Sequence, residues 1–292
     1  MQQSSCSICL ARILPHGILR ESAREDQMTG GERDAGFATT LAKGLEVLGA
    51  FRGDRTILTN VEIAALTGIS RPTVARLTHT LTELGYLKRD RSRFRLGWGV
   101  MMLVNALIAN VRILSIARPL MQELALDVGG TVSIGVIDGS RFVYVETARV
   151  NENLWATPDL GRIGPLVPTA IGRALCSLLT GDEAAEKWAE LRADDPDLWD
   201  AGAASFQAGV EECRSRSFTL VRGTWAPEVH SVGVPLLRDR SGECFALNCR
   251  VPVFRLGGNQ LEEEIAPRLR SLAASIRQQL EAASAGEGRI GG

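Results

Sequence analysis

The stretch Thr59-Asn60-Val61-Glu62-Ile63-Ala64-Ala65-Leu66-Thr67-Gly68-Ile69-Ser70-Arg71-Pro72-Thr73-Val74-Ala75-Arg76-Leu77-Thr78-His79-Thr80-Leu81-Thr82-Glu83-Leu84 decides the reading of the chain. It predicts two short helices joined by a tight turn at Thr67-Gly68-Ile69. Gly68 suits that turn because it takes a left-handed backbone that other residues resist. The result is a helix-turn-helix, a shape that lays its second helix in the DNA major groove. Val61, Ile63, Ala64 and Leu66 form the expected packing stripe of the first helix. In the second, Val74, Leu77, Leu81 and Leu84 recur at helical spacing. Ser70 is expected to cap this helix through its hydroxyl, and Pro72 fits its first turn. The opposite face carries Arg71, Thr73, Arg76, His79 and Thr80. An arginine fork suits guanine O6 and N7, and a threonine methyl suits the thymine methyl.

Working outward, residues 86–89 and 93–96 read as two strands around a charged turn at 90–92. Lys88, Arg89, Arg91, Arg93 and Arg95 crowd this hairpin, as a phosphate-contacting wing would require. A charge run by itself more often means a solvated surface; its place directly behind a recognition helix favours the wing. Charge by segment agrees: residues 41–98 carry a net +5, residues 99–292 a net −5, and the whole 292-residue chain −1. A basic head on an acidic body implies a polyanionic partner for the head alone.

The N-terminal side reads as a polar extension over 1–36, with Met28 as an alternative start, and 286–292 as a disordered tail. No signal peptide or membrane-length apolar run appears, so a cytoplasmic protein is expected. The six cysteines, Cys6, Cys9, Cys176, Cys213, Cys244 and Cys249, form no disulfide framework. Cys6, Cys9 and His16 fall short of a four-ligand zinc site, so neither metal nor cofactor is expected. Cys244 and Cys249, in a strand-like run, read as packing residues.

Thr39 to Phe51, with Leu41, Leu45, Val47 and Leu48, predicts the opening helix of a DNA-binding domain spanning 37–97. Trp98 to Val128 is long and apolar and is expected to break at Arg118-Pro119, giving a linker helix over 98–117. Its apolar excess calls for a second copy of the chain, and a two-fold dimer would match a palindromic operator. A second domain is expected over 118–285. Its strands fall at 131–137, 142–148, 218–222, 229–237 and 243–251, and its helices at 169–179, 182–192, 203–216 and 260–283. Strands and helices mix without regular alternation, so the class is α+β with a largely antiparallel sheet.

In this order the residues resemble the IclR family of transcriptional regulators over roughly 37–283. The resemblance rests on Leu45-Glu46-Val47-Leu48, on Glu62-Ile63-Ala64 with Thr67 to Val74, and on Leu81 to Leu87 with Phe94 to Gly97. In the second domain it rests on Ala117 to Leu120, Thr131 to Ile134, Asp138-Gly139 with Val143 to Val145, Thr169 to Leu175, and Val232 to Leu236. It implies a winged helix-turn-helix, a GAF-like effector domain, dimers or tetramers, and a small organic acid, often aromatic, as effector. The effector site carried over by motif comprises Thr169, Ala170 and Ile171 at a helix start, with Ser231 and Asn248 from two later strands. Thr169 could equally serve only as a cap, and Ser231 and Asn248 could serve only to satisfy backbone groups. Arg222 either faces this pocket or lies, as arginine usually does, on the surface. Two rivals stand beside this reading. An enzyme would have to use His230, since His16 lies in the extension and His79 on the recognition helix, and no nucleophile is marked. A ligand-independent architectural DNA-binding protein would have no use for so large an acidic domain.

Overall fold

A computed structural model describes residues 36–51, 55–109, 111–150 and 160–287. The expected extension, Met28, the Cys6/Cys9/His16 group and residues 288–292 lie outside these. The described chain divides into two compact units between Asn110 and Val111.

The first unit contains α1 (Thr39–Gly49), β1 (Leu58–Thr59), α2 (Asn60–Thr67), α3 (Arg71–Glu83), β2 (Leu87–Asp90), β3 (Arg93–Leu96) and α4 (Gly99–Ala109). A reciprocal cap opens α2. The Thr59 hydroxyl accepts the Glu62 N–H at 3.2 Å, and the Glu62 carboxylate accepts the Thr59 N–H at 2.7 Å. That backbone N–H, then the Thr59 hydroxyl, holds the Glu62 carboxyl below its usual range. Gly68 follows with φ 72° and stops α2. Ser70 occupies the N-cap position of α3 as expected, but its hydroxyl caps no backbone group. It lies 2.9 Å from the Thr73 hydroxyl instead. At the other end Gly85, at φ 80°, lets the Tyr86 N–H reach back to the Leu81 carbonyl at 2.9 Å.

The core of this unit is Val47, Phe51, Leu58, Ile63, Ile69, Val74, Leu87 and Phe94. Four residues expected in apolar stripes, Leu41, Leu45, Val61 and Leu84, are exposed. On α3 the buried stripe instead runs through Thr78, which sits one turn beyond Val74 and is fully buried. Its hydroxyl lies 3.0 Å from Asn60 Oδ1 and ties α3 to the start of α2. The hairpin has its expected form, with its first strand shifted by one residue. β1, which sequence alone did not mark, pairs with β3 and makes a three-stranded antiparallel sheet in the order β1-β3-β2.

The second unit starts with α5 (Arg112–Val128), β4 (Thr131–Asp138), β5 (Arg141–Arg149) and β6 (Ile163–Pro165). The helix does not break at Arg118-Pro119, and residues 112–117 belong to this unit rather than to a linker. The physical reason is visible on both sides of the proline. The buried stripe Ile113, Leu114, Ala117, Met121, Leu124 and Ala125 runs past it without interruption. The lost hydrogen bond falls on the solvent side, since Ser115 and Pro119 are both exposed. Arg118 also anchors the helix to the sheet, with Nε 2.9 Å from the Glu146 carboxylate.

Next come α6 (Ala170–Cys176), α7 (Gly181–Asp194), α8 (Pro196–Arg216), β7 (Thr219–Arg222), β8 (Val229–Arg238) and β9 (Cys244–Pro252). A π-type turn, Leu261–Ile265, leads into α9 (Ala266–Glu287), which runs two residues into the expected tail. Six antiparallel strands form one sheet in the order β6-β5-β4-β9-β8-β7. Alternation along β4, β8 and β9 supplies two buried faces. Val132, Ile134, Val234, Leu247 and Cys249 pack under α5 and α9. The other face meets α6, α7 and α8 around Tyr144, Ile171, Leu175 and Phe206. A β-bulge at Ile134/Gly135 shifts the pairing of β5.

α6 sits directly on the sheet because Gly233 has no side chain. A Cβ there would lie 2.1 Å from the backbone oxygen of Ala170. Gly233→Ala is therefore expected to destabilise the second unit by about 1–3 kcal/mol. A urea titration followed by tryptophan fluorescence checks this, and an unchanged midpoint would contradict the packing described.

Candidate DNA interface and effector site

The exposed side of α3 presents Arg71, Arg76, His79 and Thr80, with Thr73 half-buried beside Ser70. Among the described residues, no acidic side chain forms an ion pair with Arg71 or Arg76. Buried Val74 and Thr78 point this face outward. The five side chains predicted on this face of α3 thus lie away from its buried stripe, with Thr73 paired to the hydroxyl of Ser70 at the N-cap.

Register sorts the wing. Lys88 stands opposite Arg95 and Asp90 opposite Arg93, so these four share the face turned away from Phe94. Arg89 lies opposite Phe94 on the other face. Its guanidinium donates to the Arg91 carbonyl at 2.7 Å and stacks 6.0 Å from the Phe94 ring centroid. Of the predicted wing cations, Arg89 therefore braces the hairpin. Arg91 occupies the tip at φ 54°, a left-handed backbone that is uncommon outside glycine and suits a turn.

In the second unit, the predicted effector residues separate into two sets. Thr169 is committed: its hydroxyl donates to the Pro165 carbonyl at 2.9 Å and accepts the Gly172 N–H at 3.2 Å. Ala170 and Ile171 are buried, with Ile171 against Gly135 of the sheet. α6 has only seven residues, and Thr169 already satisfies one of its first N–H groups. These three positions shape a wall more than they offer polar contacts.

The sheet beneath offers more. Ser231 pairs across β8 and β9 with Arg250, and Asn248 stands two residues along β9 on the same face, opposite Gly233. On its other side Asn248 faces Ser133 of β4. Ser133 and Thr147 satisfy one another at 3.1 Å. The Asn248 amide Nδ2 donates to the Tyr144 hydroxyl at 2.9 Å, while Asn248 Oδ1 is buried without a partner. Backbone pairing of Tyr144 with Arg162 brings a second cation alongside.

Electrostatics follow from this crowding. Burial, opposed by Arg250, the Asn248 hydrogen bond and Arg162, pushes the Tyr144 hydroxyl up. Burial lowers the Arg250 guanidinium; the Tyr144 phenol opposes this and Arg162 adds to it. Among the described residues no carboxylate pairs with Arg250. Asn248 Oδ1 is thus left without a donor among the described residues. Tyr144, Arg250 and Arg162 were not predicted from sequence. Arg250 could have been, since Asn248 and Arg250 interrupt one face of an otherwise apolar strand. Tyr144 reaches the cluster only through the bulged register of β5.

Other features carry less chemistry. Arg222 lies on the surface, 3.5 Å from Glu262. Cys213 and Cys249 are held by burial at about 11 and about 12, which leaves them as inert thiols at neutral pH. Cys244 is buried as well, as its strand suggested. A surface hollow of about 470 Å³ opens on the opposite side of the sheet, where Arg277 already donates to the Leu236 carbonyl at 3.0 Å. It holds no buried unpaired polar atom, so the Asn248–Arg250 cluster is the stronger ligand site. Among the described residues there is no metal-ligating group, and no single helix is long and apolar enough to cross a membrane.

Comparison with known proteins matches both units. Residues 40–91 match the IclR helix-turn-helix domain, and residues 105–278 match the bacterial transcriptional regulator IclR C-terminal domain. The HTH-type transcriptional regulator TsaQ1/TsaQ2 of Comamonas testosteroni is 28% identical, over 86% of this chain and 92% of that protein. The p-hydroxybenzoate hydroxylase transcriptional activator of Acinetobacter baylyi is also 28% identical, over 84% and 93%. Among solved structures, an IclR family transcriptional regulator from Brucella abortus is 33% identical with a TM-score of 0.69, over 86% of this chain and 96% of that one. The chain therefore belongs to the IclR family: it is a DNA-binding transcriptional regulator with a C-terminal effector domain, and not an enzyme.

Proposed function

We propose that the protein is a cytoplasmic regulator whose grip on a palindromic operator is adjusted by a small organic acid held in its C-terminal unit. Residues 37–97 form the DNA-binding domain. Arg71, Thr73 and Arg76 read base edges, with Ser70 and His79 at the margins of the same surface. Lys88, Arg91 and Arg93 contact phosphates, and Arg89 supports them by bracing the wing.

The observation that carries the effector reading is Arg250. It is a half-buried cation beside a second cation, Arg162, and among the described residues no carboxylate pairs with it. Such a group is costly unless an anion joins it. An organic acid placing its carboxylate there, with Ser231 opposite and Asn248 alongside, removes that cost. Ala170 and Ile171 wall the apolar end, and Thr169 holds that wall in place. The name of the p-hydroxybenzoate hydroxylase transcriptional activator supports an aromatic acid.

Assembly follows from α1 and α4. Leu41 and Leu45 on α1, with Met101, Met102, Leu103 and Leu107 on α4, are exposed large apolar side chains of the kind that mark an interaction surface. A second copy covers it, and a homodimer or a pair of dimers presents two recognition helices to two half-sites.

Three outcomes are expected. Arg71→Ala or Arg76→Ala relaxes sequence preference by about 1–3 kcal/mol at the contacted base, read by competition between operator variants. Arg91→Gly, which relieves the tip backbone while removing its charge, weakens binding to all sequences and lowers the salt slope by about one. If the two classes behave alike, the division between reading and anchoring is wrong. Arg250→Gln reduces affinity for an aromatic acid such as 4-hydroxybenzoate by about tenfold or more in calorimetry; equal affinity would remove the carboxylate from this position.

A further inference from the structure

The reading helix and α4 meet backbone to backbone. The Gly97 N–H donates to the Tyr86 carbonyl at 2.8 Å, and the Gly99 N–H to the Gly85 carbonyl at 3.1 Å. A Cβ on Gly97 would lie 2.2 Å from the Gly85 carbonyl oxygen, and one on Gly99 would lie 2.9 Å from the same atom. Gly85 and Tyr86 in turn close α3, their N–H groups donating to the Thr82 and Leu81 carbonyls at 3.0 and 2.9 Å. The start of α4 is thus stapled to the end of α3 with no side chain between them. Beyond the staple, α4 has little hold on the head. Of the side chains from Val100 to Leu107, Val100 and Val104 are half-buried and the others are exposed. Trp98, between the two glycines, is 84% exposed.

From this we infer that Gly97 and Gly99 determine operator geometry: the staple fixes the angle between α3 and α4, and through it the half-site separation that paired heads accept. The inference rests on the assembly reading given above, in which a second copy covers α4. In a two-fold dimer closed along α4, the direction of α4 relative to α3 sets where each reading helix falls on the duplex. The lever is long. α4 has 11 residues, so a rotation of about 10° at the staple moves its far end, about 16 Å away, by about 3 Å. Two-fold symmetry applies the change at both heads, which amounts to one or two base-pair steps of about 3.4 Å. An alanine at position 97 demands a change of that order. Its Cβ has to retreat by about 1 Å from a backbone oxygen, which cannot swing aside as the tip of a side chain can. Gly97 and Gly99 touch no base, so they act as positioning residues for Arg71 and Arg76.

The test is a binding series of the full chain on a DNA site selected from a random pool. The site is rebuilt with its half-sites moved together or apart by a few base pairs, and a duplex with a single half-site is run beside it. The wild type is expected to prefer one separation and to lose about tenfold or more when it changes by about two base pairs. Gly97→Ala is expected to move or flatten that optimum while affinity for the single half-site stays within about twofold. Gly99→Ala, whose Cβ has nearly enough room, is expected to act in the same sense by less, and serves should Gly97→Ala fold poorly. In the wild type, the Gly97 and Gly99 amides are expected to resist hydrogen exchange as strongly as those of the last turn of α3. An unchanged optimum and sharpness in both variants would overturn the inference and leave the assembly reading in place. So would a dimer indifferent to separation, a variant that weakens the single half-site as much as the paired sites, or exchange of those two amides at the rate of unstructured chain. A wild-type chain that sediments as a monomer, on and off DNA, removes the assembly reading itself, and this inference with it.

Discussion

The backbone of α6 lies against the sheet at Gly233 with no side chain between them. That single approach sets the architecture of the second unit. It presses the Ala170 carbonyl onto β8, seats Ile171 on Gly135 and fixes the row of side chains that runs beside the helix on β9 and β4. Asn248, which stands opposite Gly233, is buried beside this contact. Close packing is what makes the unpaired Asn248 Oδ1 matter.

The first unit solves a related problem with a hydrogen bond. Thr78 replaces an apolar residue in the buried stripe of α3 and spends its hydroxyl on Asn60 at the start of α2. The two helices of the reading head are thereby joined by a directional contact as well as by apolar packing. Arg71 and Arg76 are presented on the far side, where no carboxylate among the described residues forms an ion pair with them. In the proposed account both units use cations: the head displays Arg71 and Arg76 to DNA, and the second unit holds Arg250 for an acid.

Much of this was legible in the sequence, for identifiable reasons. The helix-turn-helix followed from helical spacing and one turn glycine. The wing followed from charge crowded into a short alternating run. The strands of the second unit followed from alternation, to within a residue or two. What escaped depends on partners distant in the chain. β1 is two residues long and exists only because β3 pairs with it. Pro119 breaks helices by local rule, yet here a buried stripe and the Arg118–Glu146 pair carry the helix past it. Thr169 to Ile171 come from a motif that also marks how α6 packs, whereas Tyr144 and Arg250, the polar groups of the proposed site, are brought beside Asn248 by a bulge and by cross-strand register.

The central claim is that occupancy of the Arg250 cluster changes how the reading head holds DNA. The direct measurement is fluorescence anisotropy of the full chain on a DNA site selected from a random pool, at fixed salt, with the best-binding acid titrated in. Saturating acid is expected to shift the dissociation constant for the selected site severalfold or more, within the usual range of allosteric coupling. Arg250→Gln should remove that shift and leave acid-free DNA binding unchanged. An acid that binds the protein yet leaves operator affinity unaltered, or equal affinity for selected and random DNA, would contradict the account.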